Sequence, residues 1–318
     1  MATFAARPME PAERPAWDAL WLASHRWLPQ SPAVLEAACG AALAPWGVFE
    51  STRLVAALAF AREVKFGRTA LRHAAPVSFQ GVLTAPGIDR DEAMAAIARA
   101  VPGACARADA ILGPGEVDAR PFAWNGWSAA PHYNFVNRLD APGGIEASLS
   151  PAARRQLRKA RGAGLRAERG DGLGELERLR AATTARHSFA DAVTWEGYQR
   201  LFALGAAAGT GVRSAVLLAR SEDGAVHAGA LLLADAHRTY YAMGASDPGL
   251  LGSGAPTLLH TDGSALLAAE GWPAVYDWCG ANTPGVARFK EGFGPVLELL
   301  MRIEWASPAA ALWRRLRA

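Results

Sequence analysis

The chain of 318 residues lacks the features that would mark several common classes of protein. Its cysteines are only three, Cys39, Cys105 and Cys279, and none of them forms a CxxC pair. This scarcity argues against a disulfide framework and against a zinc site, and it is typical of a reducing compartment. No apolar run approaches the roughly 18–20 residues that a membrane-spanning helix needs. The N-terminus carries charges and prolines where a signal peptide needs an apolar core, so we expect a soluble cytoplasmic protein.

Short motifs of well-known enzyme mechanisms are also missing. The sequence contains no GxSxG nucleophile elbow, no HExxH zinc motif and no Walker phosphate loop. Its seven histidines are scattered, and no two of them have the spacing of metal ligands. We therefore expect neither a metal ion nor a tightly bound cofactor. A net charge of +3 is slight and does not by itself indicate nucleic-acid binding, and we expect no DNA partner.

What the sequence does have is one order of elements that occurs twice. A hydrophobic fraction of 51% indicates a globular protein, and the length favours two domains. The first half predicts a hairpin at residues 46–62, a strand at 69–80, a helix at 89–101 and a strand at 108–112. The second half predicts the same order, with a hairpin at 214–234, a strand at 238–245, a helix at 255–270 and a strand at 275–278. We interpret this as a duplicated α+β module that divides near Gly143-Gly144, with domains of residues 1–144 and 145–318.

A strongly basic segment follows Ser150-Pro151, which fit the N-cap and the first position of a helix. The segment reads AARRQLRKARGAGLRAER, and residues 154–169 contain seven basic residues against one acidic residue. Like charges at helical spacing destabilise an isolated helix. A phosphate-bearing ligand would offset the repulsion, because guanidinium groups bind phosphate bidentately. The alternative is a solvated helix face that pairs with acids elsewhere.

Glycines precede the predicted second-half helix in the segment DPGLLGSGAPTLL, residues 247–259. Glycines at this place expose backbone N–H groups at a helix N-terminus, which favours anion binding. Gly252 and Gly254 fit the glycines of the pyrophosphate loop of acetyl-CoA-dependent acetyltransferases, whereas Gly249 stands where that loop begins with Gln or Arg. A plain turn from strand to helix is the alternative.

Two further stretches contain side chains that suit acyl transfer. Tyr240 and Tyr241 lie on a predicted strand, whose alternation sends one ring inward and the other outward. A phenol there either packs in the core or donates to a developing oxyanion or leaving group. The second stretch, GVARFKEGFG at residues 285–294, places Lys290 in a glycine-punctuated turn rich in aromatic residues. Lys290 is either a solvated loop lysine or a cation that meets negative charge.

Five segments in this order resemble the FemAB-like proteins. GWSAAPHYNFVNRLD and the basic segment, within residues 126–165, resemble that family's tyrosine-containing strand and "RR-x-x-RKA" helix. LRAATTARH at 179–187, which includes Arg186, resembles its "T-x-x-R" helix. The other matching segments are YYAMGA at 240–245, AAEGWPAVYD at 268–277 and FKEGFG at 289–294. The resemblance covers residues 125 to 300, and the "FK-x-x-FG" ending is its most specific part.

The resemblance implies two tandem GNAT-type acyltransferase domains, each a mixed, mostly antiparallel sheet flanked by helices, with a degenerate first domain. The best-known members of the family move an amino acid from aminoacyl-tRNA to the amine of a peptidoglycan precursor, and other relatives use acyl-CoA on different amines. The acyl donor is therefore either aminoacyl-tRNA or acyl-CoA. A non-catalytic protein that binds a nucleotide or a CoA ester is a further alternative.

The resemblance also implies roles for individual residues. It associates Lys290, and either Arg155 or Arg158, with substrate phosphates and the reacting ester. As donors to the leaving group we consider Tyr240 and Tyr241, and as the acceptor of the amine proton Asp277, at a strand end. The further candidates for binding a phosphate-bearing substrate are Lys159, Arg186, Gly252, Gly254 and Phe289.

Overall fold

The computed structural model describes residues 4–74, 76–186, 193–207 and 209–315, without the side chains of residues 183–186 and 313–315. Its helices are α1 (Arg14–Leu22), α2 (Pro32–Cys39), α3 (Arg90–Ala100), α4 (Arg120–Ala123), α5 (Gly144–Ala147), α6 (Pro151–Gly162), α7 (Gly174–Arg186), α8 (Trp195–Ala206), α9 (Ala255–Ala269), α10 (Pro284–Glu291) and α11 (Pro308–Arg315). Its strands are β1 (Phe4–Pro8), β2 (Leu43–Glu50), β3 (Arg53–Lys65), β4 (Arg68–His73), β5 (Leu83–Thr84), β6 (Arg107–Ile111), β7 (Ser128–Arg138), β8 (Arg166–Gly170), β9 (Arg213–Arg220), β10 (Val226–Ala234), β11 (Arg238–Ser246), β12 (Val275–Asp277) and β13 (Val296–Ala306). None of the helices described here has both the length and the apolar content needed to cross a membrane.

The chain divides into two compact units. Unit 1 comprises Met1–His132 together with Leu299–Ala318, and unit 2 comprises Tyr133–Glu298. The chain therefore passes from unit 1 to unit 2 inside β7 and returns inside β13. The predicted division into residues 1–144 and 145–318 follows the glycine pair instead, and it leaves the C-terminal residues with the second domain.

Unit 1 contains a mixed sheet that begins with the antiparallel neighbours β1, β2, β3 and β4. Strand β6 then pairs parallel to β4 and antiparallel to β13. Asp89 is the N-cap of helix α3, and its carboxylate accepts from the N–H groups of Asp91 and Glu92. The core of the unit includes Phe60, Ile97 and Phe122, each with no more than 1% of its surface exposed.

Unit 2 contains a sheet in the order β8-β9-β10-β11-β12-β7, antiparallel except for the pair β11–β12. Helix α9 packs on β8, β9 and β10 and buries Leu258, Leu259 and Leu267 in the core of the unit. The predicted order of hairpin, strand, helix and strand is confirmed. The predicted α+β fold class is also confirmed, since helices flank mostly antiparallel strands in each unit.

Only the first part of the basic segment is helical. The basic helix does not run to Arg169, because α6 ends at Gly162 and residues 166–170 form β8, which pairs with β9. Gly164 lies between them at a φ of +74°, a conformation that glycine adopts without strain.

Strands β11 and β12 separate in unit 2. Their parallel pairing ends at Tyr240 and Asp277, whereas β11 continues to Ser246. A register shift against β10 also places Ala242 as an extra residue in β11, which forms a β-bulge. Beyond β12 the chain turns away through Cys279, at a φ of +54°. A gap therefore opens beside the second half of β11.

Candidate active site

A cavity of about 600 Å³ lies in unit 2 at this gap. The second half of β11, the first turns of α9 and the length of α10 supply most of its lining. Its polar side chains are those of Tyr241, Ser246, His260 and Lys290, and leucine, proline, valine and phenylalanine side chains form most of its remaining walls. A mostly apolar cavity with a few converging polar groups is typical of a small-molecule site.

Lys290 lies in the last turn of α10 and is 5% exposed, so the predicted glycine-punctuated turn is wrong for this residue. Its Nζ donates to the backbone oxygens of Trp278, at 2.5 Å, and Gly280, at 2.8 Å. Burial lowers the pKa of Lys290. Two of the three ammonium hydrogens are thus bound to the segment after β12, and one is left for the cavity. This placement excludes a solvated loop lysine.

The glycines after Lys290 allow α10 to pack against the start of α6. The N–H of Ser150 donates to the oxygen of Gly292 at 2.9 Å. Gly294 has a φ of +60°, and a β-carbon there would clash with the backbone oxygen of Ser148. The basic helix and the lysine segment are therefore packed on one another, which explains in physical terms why the two motifs occur together.

We expect Gly294→Ala to lower the free energy of unfolding by more than about 1 kcal/mol, because alanine is strained at this φ and collides with Ser148. Gly285→Ala is the matched control, since a β-carbon at Gly285, in the first turn of α10, would have no atom within 4 Å. Chemical denaturation measures both changes. Equal stability of the two variants would contradict this account of Gly294.

Tyr240 and Tyr241 face opposite sides of the sheet, as their alternation predicts. Tyr240 is fully buried, and its hydroxyl donates to Asp235 Oδ2 at 2.9 Å. Tyr241 lines the cavity, and a β-carbon at Gly244 would occupy the space of its hydroxyl. Burial raises the pKa of Tyr241 to about 12, so the phenol keeps its proton at neutral pH. Of these two tyrosines, Tyr241 is the one that the structure brings to Lys290.

Asp277 lies in a buried network of charges. Its Oδ1 accepts from Asn134 Nδ2 at 3.0 Å and from the N–H of Cys279 at 2.8 Å, and its Oδ2 accepts from Arg238 Nη1 at 2.8 Å. Arg238 also binds Glu298. Burial raises the pKa of Asp277, and Arg238 opposes that rise. Asp277 is not part of the cavity lining, so its role as the proton acceptor stays a prediction, and its contacts favour a structural role.

The basic residues of α6 divide into a structural and an unpaired group. Arg161 forms ion pairs with both Glu146 and Asp262. Arg154 donates to the backbone oxygens of Leu149 and Ala147.

Arg155 and Arg158 form the unpaired group. They are exposed, and neither has an ion pair or a side-chain hydrogen bond within the part of the chain described. Together with Arg154 and Pro151 they line a separate pocket of about 450 Å³. The pairing of the helix with acids therefore accounts for Arg161 and leaves two adjacent guanidinium groups available.

The glycine segment before α9 is engaged in packing against α6. Gly254 is the N-cap of α9 at a φ of +80°, and a β-carbon there would clash with the oxygen of Gln156. Lys159 Nζ donates to the oxygen of Gly252 at 2.6 Å. These contacts explain Gly254 and Lys159 without a ligand, whereas Gly252 contributes only a backbone oxygen.

Several N–H groups of this segment already have acceptors inside the protein. The N–H of Gly249 donates to Asp247 Oδ1 at 2.9 Å, and that of Ala255 donates to Ser253 Oγ at 3.3 Å. Pro256, the second residue of α9, has no N–H to offer. The start of α9 therefore has fewer free donors for a pyrophosphate than its glycines suggest.

Two candidates remain from the sequence, and one residue was missed. Phe289 lines the cavity, with its ring centroid 5.2 Å from that of Phe293. Arg186 is the last residue of α7, and its side chain lies outside the described residues.

The missed residue is His260, which lines the cavity from α9. The helical spacing of Pro256, Leu259 and His260, all in the lining, is the signal that points to it.

Comparison with known proteins defines the class of this site. Residues 150–291 match the family model described as an acetyltransferase (GNAT) domain. This part of the chain is similar to GNAT acetyltransferase domains, and the prediction of an acyltransferase is confirmed. A comparison of the chain with curated proteins gives no match.

Solved structures confirm the tandem GNAT fold. FemX matches over 98% of this chain and 100% of its own, with 15% identity and a TM-score of 0.63. The C-terminal domain of a putative lysylphosphatidylglycerol synthetase from Agrobacterium fabrum matches over 96% of this chain and 94% of its own, with 15% identity and a TM-score of 0.64. A tandem GNAT protein from the clavulanic acid biosynthesis pathway matches over 96% and 98%, with 17% identity and a TM-score of 0.57. The predicted resemblance to FemAB-like proteins is thus confirmed in fold.

Proposed function

We propose that the chain transfers an acyl group from an activated donor to an amine, and that the cavity beside β11 holds this acyl group. The observation that carries the proposal is the convergence of Lys290 and Tyr241 on one mostly apolar cavity of a GNAT domain. GNAT-type transfer is direct, because the amine attacks the acyl carbonyl without a covalent enzyme intermediate. The protein must then align two reactants and stabilise an oxyanion.

Lys290 and Tyr241 have different roles in this reaction. The remaining hydrogen of the Lys290 ammonium binds the oxygen of the acyl carbonyl, where negative charge develops as the C–N bond forms. The phenol of Tyr241 donates its proton to the oxygen or sulfur that leaves when the donor bond breaks, and the proton released from the amine restores it. Apolar walls strengthen both interactions, since less solvent screens them.

For the donor we propose an aminoacyl ester carried by tRNA, and for the acceptor the amine of a peptidoglycan precursor. Two observations support this choice over acyl-CoA. Two N–H groups of the glycine segment, those of Gly249 and Ala255, have acceptors within the protein, and Arg155 and Arg158 offer a phosphate site elsewhere. The likenesses to FemX and to a lysylphosphatidylglycerol synthetase also fit aminoacyl transfer.

Acyl-CoA is the second candidate donor, and the match to an acetyltransferase family model favours it. Thermal-shift measurements with acetyl-CoA, aminoacyl-tRNA and UDP-linked peptidoglycan precursors separate the two donors. We expect the precursor and the aminoacyl-tRNA to stabilise the protein, and aminoacyl transfer to follow when both are present. Stabilisation by acetyl-CoA alone would overturn the tRNA proposal. Tight binding of one ligand without transfer from any donor would instead identify a non-catalytic binding protein.

We expect the double variant Arg155→Ala, Arg158→Ala to bind a UDP-linked precursor at least about tenfold more weakly, because each charged hydrogen bond contributes roughly 1.5–3 kcal/mol. Its affinity should also depend less steeply on salt than that of the wild type, since fewer charges meet phosphate. Isothermal titration over a series of NaCl concentrations measures both effects.

Arg161→Ala is the control for this experiment, since it removes an arginine of the same helix that is bound to Glu146 and Asp262. We expect it to lower stability and to leave the affinity for the precursor unchanged. If the double variant retains wild-type affinity at every salt concentration, Arg155 and Arg158 are surface residues without this role.

A further inference from the structure

His260 is a polar residue of the cavity to which the proposed reaction gives no role. It is 2% exposed, and its imidazole lines the cavity together with Tyr241 and Lys290. Aromatic rings surround it, with centroids at 4.6 Å for Tyr241, 4.8 Å for Trp278 and 5.5 Å for Phe293. A buried imidazole in apolar surroundings is costly unless its nitrogens have partners, so the partner of each nitrogen has to be identified.

Tyr276 determines which nitrogen of His260 carries the proton. The Tyr276 hydroxyl lies 2.9 Å from Nδ1, and His260 is its one hydrogen-bond partner within the described residues. Tyr276 is fully buried, and burial raises its pKa, so the phenol stays protonated. A buried hydroxyl without an acceptor would be destabilising. Tyr276 therefore donates to Nδ1, and the proton of the neutral imidazole is on Nε2.

The imidazole stays neutral because of its surroundings. Burial, with Lys290 as a second cause, lowers the pKa of His260 to about 3. The Nε2 atom of His260 has no hydrogen bond within the described part of the chain. It is also not one of the buried polar atoms that lack both solvent access and a hydrogen-bond partner. An N–H donor without a partner thus remains on a residue that lines the cavity.

We infer that His260 is a second donor to the acyl group, with Nε2–H bound to the acyl carbonyl oxygen, and that Tyr276 is the positioning residue that keeps the proton on Nε2. This inference rests on the proposed function, since it takes the acyl group as the occupant of the cavity. A neutral donor beside Lys290 adds a hydrogen bond to the oxyanion without a second positive charge. Such preorganised donors act where negative charge develops in the transition state.

Nitrogen NMR of the protein with ¹⁵N-labelled histidine tests the tautomer without any substrate. We expect His260 to be neutral and protonated on Nε2 from about pH 5 to pH 9, a range over which an ordinary histidine titrates. In Tyr276→Phe, which removes the donor and keeps the ring, we expect a mixture of the two tautomers. An imidazolium at neutral pH, or a proton on Nδ1 in the wild type, would overturn the inference whatever the protein catalyses.

Transfer kinetics test the contact with the acyl group, with aminoacyl-tRNA as the first donor and acetyl-CoA as the second. We expect His260→Leu to lower kcat about 10²-fold, the usual effect of removing one oxyanion donor, with little change in the KM of the acceptor. His260→Gln retains an N–H donor, and we expect its kcat to be at least about tenfold higher than that of His260→Leu.

The outcomes separate this inference from the proposed function. If Lys290 and Tyr241 variants lose activity while His260→Leu keeps the wild-type kcat, the role of His260 is wrong and the proposed function stands. If none of these variants loses activity, the cavity is not the place of transfer, and both are wrong. Equal losses in His260→Gln and His260→Leu, with both proteins folded, would assign His260 to packing and overturn its role as a donor.

Discussion

Lys290→Met will lower the acyl-transfer rate at least about tenfold, which corresponds to roughly 1.4 kcal/mol in the barrier. Methionine keeps an apolar stem in the buried position and removes the ammonium that faces the cavity. The substitution also leaves the backbone oxygens of Trp278 and Gly280 without their donor. Each such unsatisfied group costs about 1–3 kcal/mol, so we expect lower stability together with lower activity.

Single-turnover kinetics well below the melting temperature of the variant separate these two effects, with circular dichroism as the check that the variant is folded. Lys290→Ala should lose at least as much activity as Lys290→Met, since it removes the same charge. A folded Lys290→Met protein with the wild-type rate would show that Lys290 serves only to hold the segment after β12.

The pH dependence of stability gives an independent readout of the same residue. Burial makes the pKa of Lys290 lower in the folded chain than in the unfolded chain. Between those two values the unfolded chain binds more protons, so the contribution of Lys290 to the free energy of unfolding rises with pH. That contribution is absent in Lys290→Met. The stability difference between wild type and variant should therefore widen as pH approaches 10.5, the ordinary pKa of lysine.

Tyr241→Phe will lower kcat about 10²-fold, the lower end of the usual contribution of a positioned proton donor, and will leave the fold intact. Its neighbour provides the matched control, because Tyr240 donates to Asp235 on the other face of the sheet. We expect Tyr240→Phe to keep the wild-type kcat and to lose about 1.5–3 kcal/mol of unfolding free energy, the usual contribution of a hydrogen bond to a charged group.

Steady-state kinetics and chemical denaturation on the two variants measure this contrast. A reversed result, with Tyr240→Phe inactive and Tyr241→Phe active, would mean that the leaving group lies on the opposite face of β11. Equal and small losses in kcat would exclude a tyrosine as the donor to the leaving group.

Features that depend on neighbouring residues could be predicted from the sequence. Ser150 accepts from the N–H of Ala153 as an N-cap should, and Asp89 caps α3 in the same way. The alternation in β11 correctly separated the faces of Tyr240 and Tyr241. In both cases the deciding interaction lies within a few residues of the chain, where periodicity and caps are informative.

Features that depend on distant residues could not be predicted in this way. Asp277 binds Asn134 and Arg238, which are 143 and 39 positions away in the chain. The glycines around Lys290 suggested a turn, but Gly292 and Gly294 follow the end of α10, and only Gly285 lies within this helix. The tautomer of His260 depends on Tyr276 in β12, and no local pattern in α9 indicates that partner.

The position of Lys290 also affects the second substrate. An amine attacks a carbonyl only when it is neutral, and a fixed positive charge beside it favours that neutral form. Removal from water acts in the same direction for an amine that enters the mostly apolar cavity. We therefore expect the cavity to lower the pKa of the incoming amine, which then gives up its proton to bulk water on entry. Deprotonation by the site as a whole requires no dedicated carboxylate, and it leaves Asp277 to its ion pair with Arg238.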